Sequence, residues 1–326
     1  MAEAGRRTSR TSCTSCALAF LLLLAPAAQA KPHIVHILAD DFGWADVGWH
    51  RSNSSGANGS DVETPQLDAL VKEGVELDRF YAHKICSPSR CALQSGRHAV
   101  HVNVQNVVPE VRNSKDPIGG YQGIPVNMTG VAAQLRRAGY RTHLVGKWDA
   151  GMATELHHPR ARGYETWLGY WHHSNDYWAQ TEEKCSGTAV RDLWAFNATY
   201  DGPATHLANG PHCSQKSQAP AGERCVFEEL LLRDEVVRLI EAHDAASPLF
   251  LLYSMHLVHM PLQAPQRYVD HFGLIDDEHR RLNHAMGRAP RVRLKLWPRP
   301  PMPSHRTFVP PTATAPSTSS CSRSAA

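Results

Sequence analysis

The sequence predicts an α/β fold with a mostly parallel mixed sheet flanked by helices. Three observations carry that expectation. Short apolar runs of strand type recur at His33–Leu38, Arg141–Val145 and Leu249–Tyr253. Segments with helical spacing lie between them, at 64–74, 129–139 and 227–243. The 326-residue chain is 42% hydrophobic and 20% charged, enough apolar material to bury a core in one large or two modest domains. Alternation of strand and helix is the pattern of parallel strands joined by crossover helices.

The elements follow in order. Arg6, Arg7 and Arg10 precede an apolar run, Ala17–Ala28, with Leu21–Leu24 at its centre and Ala28-Gln29-Ala30 after it. Residues 1–30 therefore read as a signal peptide, the apolar run being too short for a membrane span. No later segment is long and apolar enough to cross a bilayer, so no stable membrane insertion is expected. Thr64-Pro65 caps a helix through Leu67, Leu70 and Val71, stopped at Gly74. Val75–Tyr81 alternates like a strand, and a helix begins just after Cys86. Thr129–Ala138 is a capped helix ended by Gly139. Residues 152–225, rich in Gly, His, Trp and Tyr with weak periodicity, read as long surface loops with short elements. Phe227–His243 places Leu231, Val236, Leu239 and Ile240 on one helical face. From about Arg288 the chain turns to Arg and Pro, then to Pro, Thr and Ser, and apolar periodicity vanishes. The divergent tail, 287–326, is expected to be disordered. There is no internal repeat.

The net charge of +3 gives no lead towards nucleic acid, and no nucleic-acid partner is expected. A secretory route permits disulfides. Removal of residues 1–30 would leave Cys86, Cys91, Cys185, Cys213, Cys225 and Cys321; a bridge among Cys185, Cys213 and Cys225 is expected, with its connectivity open. Asn53, Asn58, Asn127 and Asn197 open N-x-S/T triplets compatible with glycosylation.

The sharpest motif is Cys86-Ser87-Pro88-Ser89-Arg90-Cys91-Ala92-Leu93-Gln94-Ser95-Gly96-Arg97. It resembles the sulfatase signature C-x-P-S-R-x-x-L-x-[ST]-G. That resemblance implies oxidation of Cys86 to formylglycine. The chemistry fits: a hydrated aldehyde carries two hydroxyls on one carbon, one to attack sulfur and one to release the sulfate taken up. An unmodified Cys or Ser would keep a stable sulfated adduct. Pro88 suits the first turn of a helix, whose backbone N–H groups favour an anion. Arg90, one turn from Cys86, can reach back with a rigid charged fork.

Asp40 and Asp41 follow the first strand, where α/β ligand sites form, and paired carboxylates suit a hard cation. Ala39–Gly48 resembles the first metal-binding segment of sulfatases, with Asp46 structural. Gly146-Lys147-Trp148 resembles the family's G-K-W-H segment, which implies a sulfate contact for Lys147. Asp149 departs from it, standing where many relatives place a histidine that contacts the formylglycine hydroxyl. Val258-His259-Met260-Pro261-Leu262-Gln263 resembles V-H-x-P-L-Q, which implies that His259 binds sulfate and protonates the leaving oxygen. His256 is nearby without a motif match.

The resemblance covers roughly residues 32–286 and points to the arylsulfatase B-like branch, with further matches at Thr64–Leu70, Ala138–Thr142, Arg162–Tyr164 and Pro248–Leu251. It implies an alkaline-phosphatase-like sandwich. The family's next strand, with an Asp-Asn pair and a second lysine, has no counterpart after residue 286. The partial catalytic domain, 31–286, is thus expected to have a sheet incomplete at its C-terminal end and a metal shell only partly supplied.

The expected function is a calcium-dependent sulfuric-ester hydrolase, an arylsulfatase. Cys86, Arg90, Lys147 and His259 are its catalytic set, and Asp40, Asp41 and Cys86 its ligands for Ca2+. The expected partners are a sulfated small molecule or glycan, such as an N-acetylgalactosamine 4-sulfate, and the formylglycine-generating enzyme. The expected location is the secretory pathway, lysosomal or extracellular. Two alternatives stand beside it: a phosphoester or phosphonate hydrolase, and an inactive secreted fragment that binds sulfated glycans.

Overall fold

The structure is a computed structural model that describes residues 31–51, 62–184, 188–215 and 222–288. The expected signal segment, Asn53, Asn58, Cys185, Cys321 and the tail from residue 289 lie outside the described residues. Eight strands are described: β1 (Ile34–Leu38), β2 (Arg141–Gly146), β3 (Thr166–Gly169), β4 (Thr181–Lys184), β5 (Thr188–Arg191), β6 (Trp194–Phe196), β7 (Asp201–Pro203) and β8 (Leu249–Ser254). The α-helices are α1 (Gly48–Arg51), α2 (Pro65–Glu73), α3 (Cys86–Ser95), α4 (Val131–Arg137), α5 (Glu228–Glu241), α6 (Gln266–His271) and α7 (Glu278–Arg288).

Six strands form one sheet in the order β1-β8-β2-β3-β6-β7. The pairings β1–β8, β8–β2 and β2–β3 are parallel; β3–β6 and β6–β7 are antiparallel. The expected mixed, mostly parallel sheet with flanking helices is what the chain forms. β8 occupies the interior between β1 and β2, and all six of its residues are buried. That explains its unbroken apolar run, since a parallel strand is covered on both faces. Phe250 and Leu252 pack with Cys91, Ala132, Leu144 and Tyr164 on one face. Tyr253 points to the other, where its hydroxyl donates to Glu229 of α5. α4 and α5 both pack against β2.

Each helix expected from 64–74, 129–139 and 227–243 forms, with ends shifted by one or two residues. The apolar face of α5 buries Leu231, Val236, Leu239 and Ile240 as its spacing requires. The helix expected after Cys86 takes in Cys86 itself, with Pro88 in its first turn.

One expectation fails and a second is met only in part. Val75–Tyr81 is not a strand; it runs as an irregular segment with Val75 at 87% and Tyr81 at 82% exposure. Alternation describes which side chains could face one way, but a strand also needs a neighbour for its backbone groups, and none pairs with this segment among the described residues. Residues 152–225 hold the expected short elements between loops, but several of these elements are built into the fold rather than lying on its surface. They supply β3, β6 and β7 to the sheet and a separate hairpin, β4–β5. Tyr164, Trp167, Tyr170 and Tyr177 are all buried there. Strands of three or four residues are too short to show a period, which is why the sequence hid them.

Cys213 and Cys225 form the disulfide expected of that region, while Cys86 and Cys91 are free thiols. Asn127 and Asn197 are exposed. The first two residues assigned to the disordered tail, 287 and 288, instead complete α7. No helix among the described residues is long and apolar enough to cross a membrane. Because Leu251 is fully buried in the central strand, Leu251→Ala should lower the unfolding free energy by about 2–5 kcal/mol in urea titration.

Candidate active site

Parallel pairing brings the C-terminal ends of β1, β8 and β2 side by side, the end of a sheet where α/β ligand sites form. Asp40 lies just beyond β1, Lys147 just beyond β2, and residues 255–259 just beyond β8. Backbone bonds stitch these ends together: Asp40 N–H donates to Leu257 O (2.8 Å), and Val258 N–H to Asp40 O (2.6 Å). Lys147 N–H donates to Ser254 O at 2.9 Å. Gly146 makes that approach possible. Its φ is 97°, and a Cβ there would lie 1.9 Å from Ser254 O.

α3 begins at the same place. Cys86 sits in its first turn, half-buried, with its Sγ 3.8 Å from Asp40 Oδ1. Arg90, four residues on, falls on the same helical face. Its Nη2 is 3.2 Å from Asp40 Oδ1, and its Nη1 donates to Ser254 Oγ. Lys147 Nζ is 2.6 Å from Asp40 Oδ2. Two cations therefore hold one carboxylate, all three side chains nearly out of water. Burial pushes the Asp40 carboxyl up, but Arg90 and Lys147 outweigh it and hold it at about 2. The Cys86 thiol is raised by burial and by Asp40 and Asp149, with Lys147 and Arg90 opposing. As a thiol it is therefore a weak nucleophile.

The structure thus brings Cys86, Arg90, Lys147 and Asp40 together. His259 stands at the margin, its Nδ1 2.7 Å from Met260 O and its Nε2 3.5 Å from Asp41 Oδ2. The Asp41 side chain is 63% exposed, and its φ of 52° lies in the left-handed region that aspartate tolerates. Donor atoms of Asp40, Cys86 and His259 lie within 4.8 Å of one another. Asp40, Asp41 and an oxygen at position 86 would suit a hard cation, as part of the roughly six to eight oxygens that calcium takes. Asp46 accepts from Gly43 N–H at 2.7 Å, tying the loop after Asp41.

Four groups escaped the sequence reading. Asp149, noted there only as a departure, is fully buried and accepts from Ser87 Oγ at 2.5 Å. Burial pushes its carboxyl up, with Lys147 and Arg90 opposing. Ser254 merely ended an apolar run. Glu228 and Glu229, in the first turn of α5, are both fully buried beneath the site. Glu229 accepts from the Tyr253 hydroxyl and from His256 N–H (3.0 Å). The His256 ring stacks on Tyr177, with centroids 3.8 Å apart, and its Nδ1 lies 3.4 Å from Glu228. Burial drives His256 far down, so its ring is neutral. No spacing in the sequence marks these residues as neighbours.

The strand ends of this α/β sheet gather two buried cations, a carboxylate and a cysteine at a helix start. The chain belongs to the sulfatase family: the Sulfatase family model matches residues 32–290. It is 32% identical to arylsulfatase J of Mus musculus over 261 residues, 80% of this chain and 38% of that protein. It is 29% identical to N-acetylgalactosamine-6-sulfatase of Rattus norvegicus over 255 residues, 77% of this chain and 44% of that one. The chain thus spans about two fifths of the length of these curated relatives. Among solved structures it resembles Ps i-CgsB in complex with k-i-k-neocarrahexaose, with a TM-score of 0.59 at 25% identity, covering 78% of this chain and 51% of that one. The fold is also that of the PsFucS1 sulfatase from Pseudoalteromonas sp., with a TM-score of 0.59 at 22% identity over 84% of this chain and 52% of that one.

Glu229 gives a pH test of the buried layer. Burial raises its carboxyl to about 7, against the bonds from Tyr253 and His256. The folded state then holds a proton that the unfolded chain releases above its usual carboxylate value near 4.5. Stability should fall as pH rises from about 4.5 to about 7, by about 3 kcal/mol in all. Glu229→Gln should remove that decline in urea titrations across the same range.

Proposed function

We propose that the chain is a sulfuric-ester hydrolase, an arylsulfatase acting through formylglycine made from Cys86, with calcium held by Asp40 and Asp41. The observation that carries the reading is the meeting of Arg90 and Lys147 over Asp40 and Cys86 at the start of α3. Fixed positive charge around a transferring anion supplies most of the rate in such sites, because it needs no reorganisation during reaction. Arg90 is held by Asp40 and Ser254, so its fork is already oriented for a sulfate oxygen. Lys147 brings a second charge from the end of β2.

Oxidised and hydrated, position 86 supplies two hydroxyls on one carbon, so that sulfate accepted by one is released as the other loses its proton. Calcium at Asp40 and Asp41 would add charge where the sulfate oxygens gather. His259, partly exposed beside this centre, is the proton donor to the leaving alcohol. The raised thiol of Cys86 supports conversion as a requirement, because an unmodified thiol here stays protonated. The substrate class is an aryl sulfate in assay and a sulfated glycan in nature, as the names of the relatives suggest. The expected leader, the Cys213–Cys225 disulfide and the exposed Asn127 and Asn197 support a secretory route with a formylglycine-generating enzyme.

The test is expression of the full chain in a cell possessing the maturation machinery, followed by mass spectrometry of the peptide containing Cys86 and turnover of a chromogenic aryl sulfate. The aldehyde and calcium-dependent turnover are expected; a plain thiol with no turnover overturns the reading. Cys86→Ser should stop after about one turnover, seen as a burst without a steady state, because its single hydroxyl cannot expel the sulfate. His259→Ala should lower kcat by about 10²–10⁴-fold on a substrate with a poor leaving group, measured in steady state.

A further inference from the structure

Asp149 sits in the left-handed region, with φ of 48°, and its side chain is fully buried. Oδ1 accepts from Ser87 Oγ at 2.5 Å, and that hydroxyl oxygen accepts from Val107 N–H at 2.9 Å, so the carboxyl group is fixed in place. Oδ2 has no hydrogen-bond partner. It faces the two cations of the pocket, 3.8 Å from Lys147 Nζ and 4.0 Å from Arg90 Nε. These separations are too long for hydrogen bonds and short enough for strong Coulomb coupling. In its ionised form, Oδ2 brings charge to the pocket rather than a bond.

We propose that Asp149 is a specificity-determining residue that sets the anion pocket for singly charged ester groups and against doubly charged ones. The inference rests on the sulfate-ester reading above and concerns how the same site chooses its ligand. Arg90 and Lys147 carry two positive charges, which Asp40 and an ionised Asp149 offset, and calcium at Asp40 and Asp41 would supply the surplus. A sulfate ester carries one negative charge. A phosphate monoester, whose second proton leaves near pH ~6, carries about two. Each ligand charge meets the Asp149 carboxylate, so the dianion is repelled by one charge more than the monoanion. Salt screens such a buried group poorly, which keeps the discrimination under physiological conditions.

The test uses the full chain and its Asp149→Asn variant, with 4-nitrophenyl sulfate, 4-nitrophenyl phosphate and a singly charged 4-nitrophenyl phosphonate ester. Dissociation constants from calorimetry and kcat/KM are read at about pH 8, where the phosphate is doubly charged. Asparagine keeps the size, accepts the Ser87 bond and tolerates the backbone angle. Asp149→Asn should raise the phosphate-to-sulfate affinity ratio about tenfold, while the phosphonate-to-sulfate ratio stays within about twofold. Ser87→Ala removes the anchor but keeps the charge, and should leave both ratios unchanged. A purely structural role would move Asp149→Asn and Ser87→Ala together, and would overturn the proposal. Equal shifts for phosphate and phosphonate, or no shift in either, would also overturn it while leaving the sulfate-ester reading intact. Failure of the unsubstituted, aldehyde-bearing chain to bind the sulfate ester would instead remove the reading on which the proposal rests.

Discussion

Asp40 is held between Lys147 and Arg90 in a region almost free of water, and the geometry of the site follows from that pairing. Two cations cannot be buried without counter-charge. Removing one partner of such a group leaves an uncompensated charge, at a cost of about 3–5 kcal/mol. Satisfying the group takes three separate pieces of chain. Asp40 comes from the end of β1, Lys147 from the end of β2, and Arg90 from one turn inside α3. Their meeting requires β8 to run between β1 and β2 in register, and Gly146 to let the backbone of β2 close on Ser254.

A second buried layer supports the first. Glu228 and Glu229 open α5, and Glu229 accepts the backbone N–H of His256 at the start of the loop that leads to His259. Tyr177 donates its hydroxyl to the carbonyls of His256 and His259 (2.8 and 3.0 Å) and stacks on the His256 ring. The loop after β8 is thus fixed by polar groups that never reach solvent. Such a network rigidifies only when its members are satisfied. Here Glu228 Oε1 and both ring nitrogens of His256 lack a hydrogen-bond partner, and the raised carboxyls of Glu228 and Glu229 limit the cost, because a proton-bearing carboxyl costs less to bury than a charged one.

Function and stability are coupled at this end of the sheet. A pocket for an anion ester needs surplus positive charge, whereas a folded interior needs charge balance. Asp40 and Asp149 move Arg90 and Lys147 towards balance, and the remaining field is what a sulfate group would meet. The raised thiol of Cys86 belongs to the same compromise. Burial keeps it protonated, and a chemically different oxygen nucleophile at that position would escape this limit.

Local pattern determined a good deal about this chain by itself. The apolar runs of β1, β2 and β8, the helix α2 opened by Pro65 and the amphipathic α5 each lie within one contiguous stretch, so periodicity and end signals were enough to find them. The motif around Cys86 was legible for the same reason: Cys86 and Arg90 are one helical turn apart, and their relation is set by helix geometry alone. Tertiary structure decided the rest. It denied Val75–Tyr81 a strand, because pairing depends on a neighbour that alternation cannot supply. It drew β3, β6 and β7 out of a stretch too short in period to read. It placed Asp149 against Arg90, 59 residues away along the chain, and Glu229 beneath His256, 27 residues away. Short-range geometry is written in spacing, whereas burial and charge balance arise only when distant segments exclude water together.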